Sequence, residues 1–345
     1  MIASTLSQRE RLILNCIVDS YVSNAKPVGS RYLSKKYRVG VSPATIRNVM
    51  NDLEDRGYLK QPHVSAGRVP TDHGYRLYVD SIMGIPTLSK RERQVIADNL
   101  RVASEEEDEI FGTSSRVLSK ISSQLAIVLE PRFDQGVFQK MELISMADRK
   151  VLVVIMIKSG FVRTVMLELD SDVNSDSLSK SCWFVNERLS GLSIREILDS
   201  VEERLSGDSI AHNQVVQTIV NSSRKLFNFK DENYLHFGGM NYLLSNPEFS
   251  NREYALKILQ LIESKQALLN YLDEISDDKI SIRIGKENED DMFRDYSIVS
   301  VRYHRGNVSG TLGVVGPTRM RYARMMSLVD YMGKYLTQIL DTQSS

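Results

Sequence analysis

The chain has 345 residues, of which 42% are apolar and 26% charged, a globular composition that excludes a largely disordered protein and allows two or three domains. Its 44 Lys/Arg and 44 Asp/Glu cancel, yet residues 1–83 hold 12 basic and 7 acidic side chains (net +5), leaving 32 and 37 (net −5) for the rest. A basic end on a mildly acidic body points to a polyanionic partner.

The first signals are helical. Ser7 and Glu10 have capping-box spacing, in which each side chain serves the other's free N–H. Leu12, Ile13, Cys16, Ile17 and Tyr21 follow at helical spacing and predict a helix to about residue 23. Lys26-Pro27-Val28-Gly29 breaks it. Ser30 then reads as the cap of a short helix over 31–37. After the turn Val39-Gly40-Val41, Ser42 followed by Pro43 is a strong helix start. The third helix is expected over 43–56, with Gly57 as a left-handed stop.

Helix, short helix, turn, helix is the order of a helix-turn-helix. Along the third helix Ile46, Val49, Met50 and Leu53 make an apolar stripe. Ala44, Arg47, Asn48 and Asn51 lie opposite, with Thr45 at the edge. A small, polar, basic face of this kind can enter a major groove, where Arg pairs with guanine and Asn with adenine. The run 58–61 reads as a strand, and His63 to Pro70 as a loop with a Gly-Arg tip and a return strand, which together make a wing. Arg68 at that tip could reach a phosphate or the minor groove. Thr71 caps a closing helix to about residue 83. Helix-turn-helix topology also serves domains that bind only proteins, so the pattern alone leaves both readings open.

Further along, helical potential runs over 90–102. The acidic run 105–109 reads as a solvated helix face, and helix signals continue over 110–129. The runs 137–144, 151–157 and 162–169 read as three consecutive antiparallel strands. None of them has the roughly 18 apolar residues that a membrane helix needs. Residues 170–250 are rich in Ser, Asn and Asp, with weaker helices at 178–189 and 194–205. An amphipathic helix is expected over 250–274, a strand at 280–284, a hairpin of 296–303 and 308–315 around Arg305-Gly306-Asn307, and a last helix capped by Thr318.

Two long motifs carry a resemblance. PVGSRYLSKKYRVGVSPATIRNVMNDLEDRGYLKQPHVSAGRVPTDHGYRLYVD, from Pro27, and GTLGVVGPTRMRYARMMSLVDYM, over 310–332, are similar to the N-terminal winged helix and a C-terminal motif of the heat-inducible transcription repressor family (HrcA). They stand in the family's order on a chain of the family's length, while the middle third matches only loosely. The fold class expected is therefore α+β and multidomain. It has a winged helix-turn-helix over 1–84, then a GAF-like antiparallel-sheet domain of 85–170 and 251–345 with a linker helix. That domain is interrupted by an inserted dimerisation domain over 171–250. The resemblance implies a repressor of bacterial chaperone operons that binds double-stranded DNA at an inverted-repeat operator as a homodimer, kept active by the chaperonin GroEL. Trp183, Phe184, Phe227, Phe229 and Phe237 would suit a dimer surface or, equally, the inserted domain's own core.

Base contacts are expected from Thr45, Arg47 and Asn48, and backbone positioning from Arg31, Lys35, Ser42 and Arg68. No cofactor, metal or catalytic residue is expected. Asp170-x-Asp172-x-Asn174-x-Asp176 resembles a calcium loop, but has Ser175 and Ser181 where Gly and Glu are required. The stretch 287–291 reads as a solvated acidic loop. The five histidines lack zinc spacing, and no phosphate-binding glycine loop occurs. Cys16 and Cys182 cannot form a disulfide framework. With no apolar signal-type stretch in MIASTLSQRER, a cytoplasmic, non-membrane, non-enzymatic protein is expected. A small-molecule-gated regulator sensing through the GAF-like domain is the alternative.

Overall fold

The computed structural model describes residues 6–38, 40–104, 109–132, 136–207, 213–227, 235–244, 252–273 and 279–343. The chain forms two compact units. One comprises Met1–Val128, His236–Arg302 and Leu312–Gly333, and the other Leu129–Leu235, Tyr303–Thr311 and Lys334–Ser345.

In the first unit, helix α1 (Gln8–Asn24) starts at the Ser7–Glu10 capping box and stops at Ala25, where φ is 55°. Helix α2 (Ser30–Tyr37) is capped by Gly29 rather than Ser30. Ser30 is instead buried in the first turn. Helix α3 (Pro43–Asp55) is capped by Ser42, and the chain reverses at Gly57 with φ 77°. Strands β1 (Leu59–Lys60) and β2 (Val69–Pro70) pair antiparallel, with Leu59 opposite Pro70. Helix α4 (Asp72–Ser81) follows its Thr71 cap. Ile13, Leu14 and Ile17 of α1, Leu33 of α2, and Ile46 and Leu53 of α3 are fully buried, each contributing about 1.5–3 kcal/mol by leaving water.

Helix α5 (Lys90–Ala103) has its own capping box, Ser89–Glu92. Helix α6 (Glu109–Ser122) ends earlier than the sequence signals suggest. Ser123 takes a left-handed φ of 56°, and Leu125–Leu129 becomes strand β3, buried at every residue. A short continuous apolar run fits a core strand and a core helix equally well.

The second unit is built on strands β4 (Phe138–Ser145), β5 (Lys150–Ile157) and β6 (Val162–Glu168), a three-stranded antiparallel meander. It contains helices α7 (Ser175–Leu189), α8 (Ile194–Arg204), α9 (Gln214–Asn221) and α10 (Ser223–Phe227). Val153, Ile155 and Leu167 from the strands share one apolar core with Val185, Ile197, Val216 and Phe227 from the helices. The expected domain boundary at 170 therefore falls inside this unit. Alternation identified the strands correctly but could not say which sheet they join. Asn174 accepts a hydrogen bond from Ser177 N at 2.8 Å, so the calcium-like run is a helix cap.

The chain then supplies β7 (Leu235–Gly238), α11 (Met240–Leu244), α12 (Arg252–Glu263) and α13 (Lys265–Asp273). The single helix expected over 250–274 is broken at Ser264, whose carbonyl accepts from Ala267 and Leu268. Strands β8 (Ser281–Ile284), β9 (Tyr296–Arg305) and β10 (Val308–Pro317) follow. They complete a five-stranded sheet of order β7-β3-β10-β9-β8. Strand β7 thus lies in this sheet although it falls inside the stretch expected as the insertion.

Helix α14 (Tyr322–Gln343) closes the chain, with Leu328, Val329 and Met332 fully buried. The stretch expected to be a free acidic loop is an anchor. Within the first unit the Arg76 guanidinium donates to both carboxylate oxygens of Glu287, at 2.8 Å to Oε1, and to Ile282 O at 2.6 Å. Lys286 N donates to Asp72 Oδ2 at 3.1 Å. Among the described residues no helix is long and apolar enough to cross a membrane.

Candidate nucleic-acid interface

Helix α3 is held from both ends. At its start, Ser42 Oγ accepts from Thr45 N at 3.1 Å and lies 3.0 Å from Thr45 Oγ1. The Thr45 hydroxyl is therefore engaged at the cap. At its far end, Arg56 Nη1 donates to Glu10 Oε1 at 2.8 Å, tying α3 to the first turn of α1. Burial alone would raise the Glu10 carboxyl, but hydrogen bonds from Ser7 and the Arg56 charge outweigh it and hold its pKa below the ordinary value.

Between those ends the two faces separate cleanly. Ile46, Val49, Met50 and Leu53 are buried, while Ala44, Arg47, Asn48 and Asn51 are exposed and Thr45 is half-buried. Arg31 and Lys35 of α2 are exposed as well. Lys36, not singled out from the sequence, stands over the rings of Tyr32 and Tyr37 at 5.4 and 5.0 Å. Tyr37 OH accepts from Ser20 Oγ of α1 at 2.9 Å, which braces α2 against α1.

The β1–β2 ribbon differs from the expected wing in one important respect. Its turn lies at residues 63–66, where Ala66 N donates to His63 O at 3.0 Å. Val64 at that turn is 91% exposed. Arg68 sits on the return limb, where its backbone pairs with Val28 through two hydrogen bonds of 2.9 Å. Its guanidinium reaches Glu54 at 2.7 Å and Asn51 Oδ1 at 3.1 Å. Arg68 is thus an internal clamp between ribbon and α3, not a tip residue. No local spacing announces a partner 14 residues away, as Glu54 is. Gly67 makes the pairing possible, because a Cβ there would stand 2.4 Å from the Val28 backbone.

Comparison with known proteins adds a second line. The family model described as "HrcA protein C terminal domain" matches residues 108–326. The heat-inducible transcription repressor HrcA of Chlorobium phaeobacteroides (strain BS1) is 38% identical, over 99% of this chain and 100% of the relative. That of Prosthecochloris aestuarii is 38% identical over 96% and 97%. A crystal structure of a hypothetical protein, 22% identical, superposes with a TM-score of 0.61 over 99% of this chain and 100% of that one, which shows a shared fold.

The class these matches define is the transcription repressors. Within it, this chain belongs to the HrcA family of heat-inducible repressors.

Proposed function

We propose that the protein represses heat-shock genes by binding an inverted-repeat operator in the cytoplasm as a homodimer. The segment 6–83 is read as a winged helix, α3 as its recognition helix, and the five-stranded sheet as a GAF-like body. The observation that carries this reading is the split surface of α3. Arg47 and Asn48 stand exposed, while the opposite face is anchored in the core. Arg47 and Asn48 would read base edges, with Thr45 beside them at the cap. Arg31, Lys35 and the Ser42 turn would take phosphates. Arg68 enters as the clamp that sets the ribbon angle.

Dimerisation is supported by the outward face of the β4–β6 sheet. There Ile144, Val162 and Met166 are 45, 56 and 40% exposed, and the same face carries the exposed Lys140–Glu142 ion pair, a mixed surface of the kind that protein interfaces use. The aromatics read as either dimer surface or core divide between the two. Phe184 and Phe227 are buried in the unit's own core, and Trp183 is 62% exposed. Phe237 is half-buried, and Phe229 lies outside the described residues. Dependence on the chaperonin GroEL rests on family membership, and a repressor whose active fraction follows its folding equilibrium would respond to it.

The test is equilibrium binding to a duplex from the gene's own upstream region at several salt concentrations. The reading expects tight binding that weakens linearly on a log–log salt plot, and far weaker binding to a shuffled duplex. Equal affinity for both duplexes would contradict it.

A small-molecule gate is favoured by one observation of its own, the arginine-walled cavity at the start of α14.

A further inference from the structure

The run Pro317 to Arg324, part of the second motif, takes no role in the proposed DNA contacts. It brings Arg319, Arg321 and Arg324 to the wall of one cavity of about 300 Å3, which the α6–β3 turn, with Ser123, also lines. Their charge is only partly answered. Arg324 pairs with Glu92 at 2.9 Å. Arg319 is engaged, donating to Val22 O at 2.7 Å among its contacts. Arg321 is exposed, and its guanidinium makes no hydrogen bond or ion pair among the described residues. Arg321 therefore brings an unanswered positive charge to the cavity wall, in a fork geometry that suits phosphate oxygens.

A second cavity, of about 250 Å3, adjoins it and shares Arg321 and Arg324 as walls. Its character is different. Val18, Pro86 and Met320 give it apolar walls, Tyr78 an aromatic ring, and Asp19 a carboxylate. Tyr78 OH donates to Asp19 Oδ1 at 3.3 Å, which leaves the carboxylate room for another donor. An apolar compartment with one ring and one acceptor suits a flat heterocycle bearing N–H groups.

We propose that this paired cavity binds a nucleoside polyphosphate, with its phosphates on Arg319, Arg321 and Arg324 and its base beside Tyr78 and Asp19. The walls come from α1, α4, the α6–β3 turn and α14, so a bound nucleotide ties the helices that support α3 to the sheet. This deepens the gated reading and supplies its ligand class.

The test is calorimetric titration of the full-length chain, without DNA, with ATP, GTP, inorganic pyrophosphate and the two nucleosides. One saturable site per chain is expected for ATP or GTP, competed by pyrophosphate, with the nucleosides at least about tenfold weaker. Arg321→Ala should weaken the nucleotide about tenfold or more and leave the thermal midpoint of the free protein unchanged. Asp19→Asn should weaken the nucleotide while sparing pyrophosphate. The inference is overturned by absence of saturable nucleotide binding at millimolar concentration, by wild-type binding in Arg321→Ala, or by pyrophosphate matching the nucleotide in affinity. A chain that binds its operator but no nucleotide loses this inference alone, and one that binds nucleotide but no operator loses the DNA reading alone.

Discussion

At the scale of single residues, charge is distributed by what each side chain already holds. Arg47 and Asn48 are exposed on α3, whereas Arg68 is engaged by Glu54 and Asn51 and Arg56 by Glu10. The first pair is available to a ligand, and the other two arginines set the position of α3. Glu10 makes the positioning pH-dependent. Its pKa is depressed in the folded chain, so its contribution is complete above the unfolded carboxylate value of about 4.3 and fades as pH falls through the folded value. Glu10→Gln should lower stability at pH 7 by about 1 kcal/mol. Its gap to wild type should narrow below a pH of about 4.3, as read by chemical denaturation across that range. A gap that grew on acidification would refute the role given to the Glu10 charge.

At the scale of elements, local signals decided what could be read in advance. Helix α3 was legible because cap, proline, apolar stripe and stop glycine all lie within 16 residues of one another and act through short-range geometry. The exposed face carrying Arg47 and Asn48 followed from helical period alone. The Arg68 clamp was not legible, because ion pairing across the fold leaves no spacing signal. Strand β3 reads as helix in the sequence because a run buried on all sides has no period to distinguish the two. Glu287 looked like a solvated acid because its partner, Arg76, lies 211 residues away. The ribbon offers a direct check. Gly67→Ala would force a methyl into the Val28 backbone and should cost about 2 kcal/mol, with accelerated amide exchange at Val28 and Arg68. Unchanged exchange there would show that the close approach does not hold the ribbon.

At the scale of the whole molecule, an inverted-repeat operator requires two copies. The exposed sheet face of the second unit is the surface proposed to join them. Val162→Lys places a charge on that face without touching its core, since Val162 is 56% exposed. The variant should sediment as a monomer and bind the operator at least tenfold more weakly, an effect of about 1.4 kcal/mol or more. A dimer of undiminished stability would move the interface elsewhere. The +5 of residues 1–83 and the −5 of the remainder suit the same arrangement, because a basic end is drawn to DNA while the acidic remainder is repelled from it.

The most direct test of α3 as the reading element is guanine-methylation protection on the gene's own upstream duplex, with wild type and Arg47→Ala compared at saturating protein. The account predicts two symmetric patches of major-groove protection for wild type. In Arg47→Ala, one guanine position in each patch should lose protection, affinity should fall by about 1–3 kcal/mol, and discrimination at that position should relax. Identical protection and affinity for the two proteins would contradict it.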